Sequence, residues 1–395
     1  MMKKKLSFDY ILMHIAYQLV AGVVNGFGIY MLVSRGFSAS AAGMCVSLCN
    51  CFAIISQPLV SNYLDNNKKH NAFEATILFS IIVFILFVIN STIESASLFL
   101  AIIYILACGI YATIEPLLNS ISNILGRNDV KVNFGVARAC GSASYGVVCA
   151  VFGILSESIS YKVVLIGGFI FALCLTFACI HINKDFKKGD FVSDEEDLNE
   201  KISLKDFFRS NSTFIFMCLA LVGVLFGYFF IDSFALLIVE DLGGTSADMG
   251  IIQCIKAVIE ALTMSQYQRI RKKLSLLTVI KCSVFFCALK ILATFLAPNV
   301  LTIYFVQVLQ AISFAMIIPS IIELINLKMR RNEVQRGHSL FTMTNMIACL
   351  FSSAVGGNII DKFGVKNMTL IAFIVCLISC FIYSYFATKV VNKEK

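Results

Sequence analysis

Asn183-Lys184-Asp185-Phe186-Lys187-Lys188, followed shortly by the acidic run Asp194-Glu195-Glu196-Asp197, opens the one long polar segment of this 395-residue chain. The segment covers roughly residues 183–213, and on both sides of it the sequence is a succession of apolar runs. Six lie before it, near 10–33, 40–62, 72–91, 97–124, 135–157 and 160–182. Six follow it, near 214–239, 247–266, 274–296, 300–324, 337–360 and 367–388. Each approaches the roughly 20 residues a helix needs to cross a hydrocarbon core about 30 Å thick. The expected fold is an all-α membrane protein of twelve transmembrane helices in two pseudo-symmetric six-helix bundles. Residues 1–182 form the first bundle, 183–213 a cytoplasmic central loop and 214–395 the second bundle. A hydrophilic linker at the midpoint is what a duplicated carrier predicts.

Composition excludes the soluble alternatives. Apolar residues make up 58% of the chain and charged residues 14%, against about 25% charged in soluble domains. There is no Trp, so the interfacial aromatic belt falls to Tyr and Phe, and 35 Phe supply lipid-facing surface. A net charge of +8 raises the question of nucleic acid, but the basic residues lie in short gaps between apolar runs, so no nucleic-acid partner is expected. The 15 cysteines are scattered singly, without metal-ligand spacing, and read as small apolar filler; no metal and no cofactor are expected. The first run is too long for a signal-peptide core and lacks a small-residue cleavage site, which makes it a retained span.

Charge between the runs orients the chain. With the amino terminus inside, one side collects Lys3, Lys4, Lys5, Lys68, Lys69, Arg127, Lys131, the central loop, Arg269, Arg271, Lys272, Lys273, Lys328, Arg330, Arg331 and Arg336. The other keeps Arg35, Lys162, Lys362 and Lys366. Basic residues accumulate on the cytoplasmic side, so both termini are expected in the cytoplasm and the protein in the plasma membrane.

Within the runs lie charges that a bilayer penalises by about 2.5–3.5 kcal/mol each: Glu115, Arg138, Asp232, Lys256, Glu260, Lys281 and Lys290. Spans four and five run antiparallel, so Glu115 and Arg138 can meet across that hairpin, where a guanidinium can clamp a carboxylate or sugar hydroxyls. The alternative for Arg138 is an arginine snorkelling from a helix end. Asn119 stands one turn from Glu115 on the same face. Lys256 and Glu260, four apart, are either a structural pair or a solute- and proton-binding group with its counter-ion. Which acid pairs with which base among Asp232, Glu260, Lys256 and Lys290 is left open by the sequence. Lys281 reads as an orientation charge near a helix end. Gln18, Asn25, Gln253, Gln307, Gln310 and Asn345 are polar groups for a cavity or for helix contacts, and His14 reads as a packed histidine. Asn25-Gly26-Phe27-Gly28, Pro58, Pro116 and Pro319 mark places where a helix can bend.

Phe134-Gly135-Val136-Ala137-Arg138-Ala139-Cys140-Gly141-Ser142 and Ile114-Glu115-Pro116-Leu117-Leu118-Asn119-Ser120 resemble segments of the major facilitator superfamily, in its oligosaccharide and proton symporter branch typified by lactose permease. The resemblance covers essentially the whole chain and is looser in the second half. It implies that Arg138 and Glu115 bind sugar, that Tyr145 takes the place of a ring-stacking Trp, and that Asp232, Glu260 and Lys290 stand at charged positions. Gln307, Gln310 and Ser313 occupy the places of a Lys, His and Glu cluster in span ten, so the charge-coupling set becomes Asp232, Lys256, Glu260, Lys290, Gln307 and Gln310. The loop Ser61-Asn62-Tyr63-Leu64-Asp65-Asn66-Asn67-Lys68-Lys69 keeps the acid and basic pair of a gating loop, Asp65, Lys68 and Lys69, but lacks its glycines.

The expected function is secondary transport of a small polar solute, a sugar or oligosaccharide, by alternating access with proton symport. Glu115, Asn119, Arg138, Tyr145 and Glu260 bind the solute, and a monomer in the lipid bilayer is the working form. The alternatives are a nucleoside, organic-acid or drug transporter of the same fold, or a non-transporting receptor. The chain lacks a phosphate-cradling Gly-rich loop with a lysine, a His-Glu-x-x-His motif and a Gly-x-Ser-x-Gly elbow, so neither an ATPase nor another enzyme is expected.

Overall fold

The computed structural model describes residues 2–66, 71–189, 191, 204–330 and 333–392. In chain order the helices are α1 (Met2–Val24), α2 (Gly28–Val33), α3 (Ala39–Asn66), α4 (Ala72–Thr92), α5 (Leu98–Arg127), α6 (Phe134–Ser158) and α7 (Lys162–Lys188). They continue as α8 (Leu204–Ser210), α9 (Ser212–Ser233), α10 (Ala235–Asp241), α11 (Ser246–Arg271), α12 (Leu276–Phe295) and α13 (Val300–Val306). A 3-10 turn over Gln307–Ala311 leads to α14 (Phe314–Lys328), α15 (Val334–Phe363) and α16 (Val365–Asn392). Lys68, Lys69, Arg331 and the acidic run at 194–197 lie outside the described residues, and Asp65 falls in the last turn of α3.

Among the described residues, eleven helical stretches are long and apolar enough to cross a membrane. The twelfth expected span is α11, which has 26 residues but carries Asp248, Lys256, Glu260, Arg269 and Arg271. Its length suffices and its apolarity does not, because charged side chains stand where the other helices keep aliphatic ones. Large apolar side chains such as Leu59, Phe177, Leu219, Phe305 and Phe381 are more than half exposed. In water that surface would drive aggregation; in a bilayer it faces lipid tails.

Local chemistry sets the helix limits. Asn71, Ser97, Asn133, Ser275 and Asn299 each accept a hydrogen bond from the backbone N–H three residues on, capping α4, α5, α6, α12 and α13. Gly364, at φ +83°, is the single residue between α15 and α16, a left-handed turn that suits glycine. Three expected spans are interrupted. The first begins at Met2, earlier than its apolar run, since Ser7 donates to the Lys131 carbonyl and Lys3 lies 3.7 Å from Asp129, which holds the polar first turns in place. It breaks at Asn25-Gly26-Phe27. The seventh breaks at Phe234, two residues after Asp232, and the tenth tightens into the 3-10 turn well ahead of Pro319.

The chain divides into two compact units, Met1–Glu196 with Thr245–Cys254, and Asp197–Gly244 with Ile255–Lys395. In the first, α1 packs on α6 and α7, α4 on α5 and α7, and α3 on α5. In the second, α9 packs on α15 and α16, and α12 on α14 and α16. The same neighbour pattern therefore recurs, first span with fifth and sixth, third with fourth and sixth. Glycine permits the closest of these approaches: a Cβ on Gly141 would lie 2.8 Å from Gln18 Cγ, and one on Gly227 would lie 2.8 Å from Cys376 Cβ.

In the first unit, one end gathers Lys3, Lys5, Asp129, Lys131, Asp185 and Lys187, and the opposite end gathers Arg35, Asn90, Glu94 and Lys162. At that opposite end the Arg35 guanidinium donates to the Asn90 side chain at 2.8 Å, and the Lys162 ammonium beside Glu94 holds its carboxyl below the usual carboxylate range.

Candidate functional site

The second unit concentrates charge inside its helices. Lys256 of α11 donates to Asp232 in the last turn of α9, with the lysine side chain 10% exposed and the aspartate 29%. Deeper in the unit, Lys290 of α12 donates to Gln310 Oε1 at 2.5 Å. The Gln310 amide nitrogen donates in turn to Glu260 and, at 3.0 Å, to the Tyr228 hydroxyl. Lys290 and Gln310 are buried, Glu260 half-buried. The Lys290 ammonium also lies 5.6 Å from the Tyr228 ring centroid, and that ring stacks on Phe314 at 4.3 Å.

The geometry resolves the pairing that sequence left open. The ion pair of Lys256 is with Asp232, on another helix, and Lys290 reaches Glu260 through the amide of Gln310. The 3-10 turn is what makes this possible, since it places Gln310 to bridge α11, α12 and α9. An amide serves here because its oxygen accepts from the ammonium while its nitrogen donates to the carboxylate. Gln307, expected beside it, instead donates to the Ile303 carbonyl one turn back at 3.3 Å and stays out of the bridge. Ser313 and Gln253 are buried, and Ser313 Oγ and Gln253 Oε1 have no hydrogen-bond partner.

The first unit differs from expectation. Glu115 is half-buried in α5 and Arg138 exposed in α6, and among the described residues they do not form an ion pair. The Arg138 guanidinium lies 5.9 Å from the Phe134 ring centroid. The reason is α1, which lies between α5 and α6. Tyr10 and Tyr111 tie it to α5 through hydrogen bonds to the Leu118 and Tyr17 carbonyls at 3.2 and 2.8 Å, and Tyr17 stacks on Tyr111 at 4.6 Å. On its other side α1 meets α6 at Gly141. Asn119 is exposed and Tyr145 half-buried, and they stand near Glu115 and Arg138 in sequence without a clamp between the two charges to complete. His14 is packed, its Nε2 2.8 Å from the Tyr10 hydroxyl. Tyr228 and Phe314 were missed by sequence reasoning, because two more aromatics in an apolar run carry no distinguishing signal. A cavity of about 760 Å³ lined by Ser122, Arg127, Asp129 and Lys131 lies at the α5–α6 connection.

None of the curated proteins matches the chain by sequence. Among solved structures it is similar to the nucleoside transporter NupG, at 14% identity and a TM-score of 0.77, covering 98% of this chain and 100% of that one. It is also similar to a POT family transporter in complex with 5-aminolevulinic acid, at 12% identity and a TM-score of 0.75 (98% and 96%). A third is a bacterial homologue of the iron transporter ferroportin in the inward-facing state, at 12% identity and a TM-score of 0.67 (97% and 99%). These likenesses show a shared fold. The model of the MFS_1 like family matches residues 5–366, nearly the whole chain. Together with the repeated helix pattern, that match makes this multi-pass membrane protein a member of the MFS_1 like family, within the major facilitator superfamily.

Proposed function

We propose that this secondary transporter of the major facilitator superfamily carries a nucleoside or a similarly hydroxyl-rich polar solute across the plasma membrane, by alternating access and in symport with protons. The observation that carries the reading is the Lys290–Gln310–Glu260 bridge beside the Lys256–Asp232 pair. Four ionisable groups held within one bundle are expensive, and a structural scaffold gains nothing from them. Asp232 and Glu260 are the half-exposed members, so they take the proton or the solute hydroxyls, while Lys256 and Lys290 stand behind them as counter-charges and Gln310 as the neutral bridge.

The nucleoside class is favoured over free sugars by the likeness to NupG. Sugar is the second reading, carried by Glu115 and Arg138 in segments that resemble the oligosaccharide branch. In both readings Arg138, Asn119, Glu115 and Tyr145 of the first unit contribute to solute binding, and Asp65, Lys68 and Lys69 act as a gating loop. The basic end of the first unit faces the cytoplasm, together with both termini.

Uptake of labelled nucleosides and galactosides into energised vesicles, with and without a protonophore, tests the proposal. Nucleoside uptake abolished by the protonophore is the expected result. Galactoside uptake alone would move the assignment to the second reading, and uptake indifferent to the protonophore would remove proton coupling.

A further inference from the structure

At the end of the first unit where the chain begins, α1 and α7 bring together three groups that the transport reading does not use. His181 Nε2 lies 3.6 Å from Asp9 Oδ1 and 3.6 Å from Asp185 Oδ2. One donor atom from each of the three residues falls within 4.8 Å of the other two. Asp9 is 3% exposed and Asp185 2%, and Asp9 Oδ2 has no hydrogen-bond donor. Two buried carboxylates side by side call for positive charge. Lys5 supplies one ammonium, 2.6 Å from Asp185 Oδ2, but its side chain is half exposed and it pairs with only one of the two acids.

The donor set states which cation fits. Metal–ligand bonds of about 2.0–2.2 Å place tetrahedral donors about 3.3–3.6 Å apart, so the two His181 distances of 3.6 Å already fit, and the carboxylate pair, within 4.8 Å, closes by at most about 1.5 Å. His181 and Asp185 are four apart on one helical face, which fixes two of the donors on a rigid element. One imidazole nitrogen with two carboxylate oxygens suits a borderline divalent ion, whereas calcium takes six to eight oxygens and magnesium demands an oxygen octahedron. Half-exposed His181 leaves a path in from solvent.

We propose that Asp9, His181 and Asp185 form a binding site for a divalent transition metal of the zinc class, which Lys5 occupies as an exchangeable cation when the metal is away. The site joins α1 and α7. It stands apart from the solute-binding residues and does not depend on the substrate assignment.

The test is titration of the purified full-length protein, free of a polyhistidine tag, with Co(II), followed by displacement with Zn(II). The expected result is one equivalent of Co(II) with visible ligand-field absorption, abolished by Zn(II), and a higher melting temperature with Zn(II). His181→Ala weakens binding at least tenfold and, as a change at a half-exposed side chain, leaves the protein folded; Asp9→Asn does the same where it folds. Lys5→Met tightens binding by removing the competitor. Absence of stoichiometric Co(II) binding by the wild type, binding unchanged in His181→Ala, or binding weakened in Lys5→Met would each overturn the proposal.

Discussion

Lys290 Nζ donates to Gln310 Oε1 at 2.5 Å, with both side chains closed to solvent. A buried ammonium whose named acceptor is a neutral amide is held by a dipole and passes its influence on to the carboxylate of Glu260. The amide thus works as a spacer that keeps base and acid apart yet connected, and its removal reaches both.

Gln310→Leu is therefore expected to destabilise the protein by on the order of 2–3 kcal/mol, since it strips a charged donor and a carboxylate of their shared partner. Lys290→Met combined with Gln310→Leu should cost less than the sum of the two single changes, because the second then orphans only the Glu260 carboxylate and not the ammonium as well. Thermal or denaturant unfolding in detergent, run as a double-mutant cycle, reads this directly. Strict additivity would show that the bridge contributes nothing.

Glu260→Gln keeps an oxygen that can accept from Gln310, so stability should change by less than about 1 kcal/mol. What it removes is the titratable group. We expect counterflow exchange of solute to persist while proton-driven accumulation is lost. Accumulation at the wild-type level would take Glu260 out of the coupling set.

Glu115 and Arg138, lacking an ion pair with each other, should behave independently. Glu115→Gln and Arg138→Gln are expected to add in stability to within about 0.5 kcal/mol, while each lowers solute binding at least tenfold. A coupling energy above about 1 kcal/mol would place the two side chains in contact.

Much of the fold was legible in the sequence because hydropathy and the bilayer impose one rule on every span. Its exceptions were only partly so. The break after Val24 is written in Asn25-Gly26, but the tenth span tightens at Gln307–Ala311, where nothing in the local sequence breaks a helix and Pro319 drew attention instead. Candidate charges were identified by their cost in lipid. Their partners were not, because helical spacing favoured Lys256 with Glu260, whereas packing of α9 against its neighbours offered Lys256 the carboxylate of Asp232. Likewise the hairpin of α5 and α6 pointed to Glu115 meeting Arg138, and only the inserted α1 explains why they stay apart. Asp9 escaped notice as a neighbour of the His181 and Asp185 pair on α7, since it reaches them only through the packing of α1 on α7.

The poor apolarity of α11 has a consequence for how the protein is made. A nascent helix carrying Lys256 and Glu260 gains little by leaving the insertion machinery alone, since each charge at mid-helix works against partitioning. It enters the bilayer in company, with the carboxylate of Asp232 waiting on the already synthesised α9 and the amide of Gln310 still to come. On its charges, α11 is expected to insert together with its neighbours rather than alone.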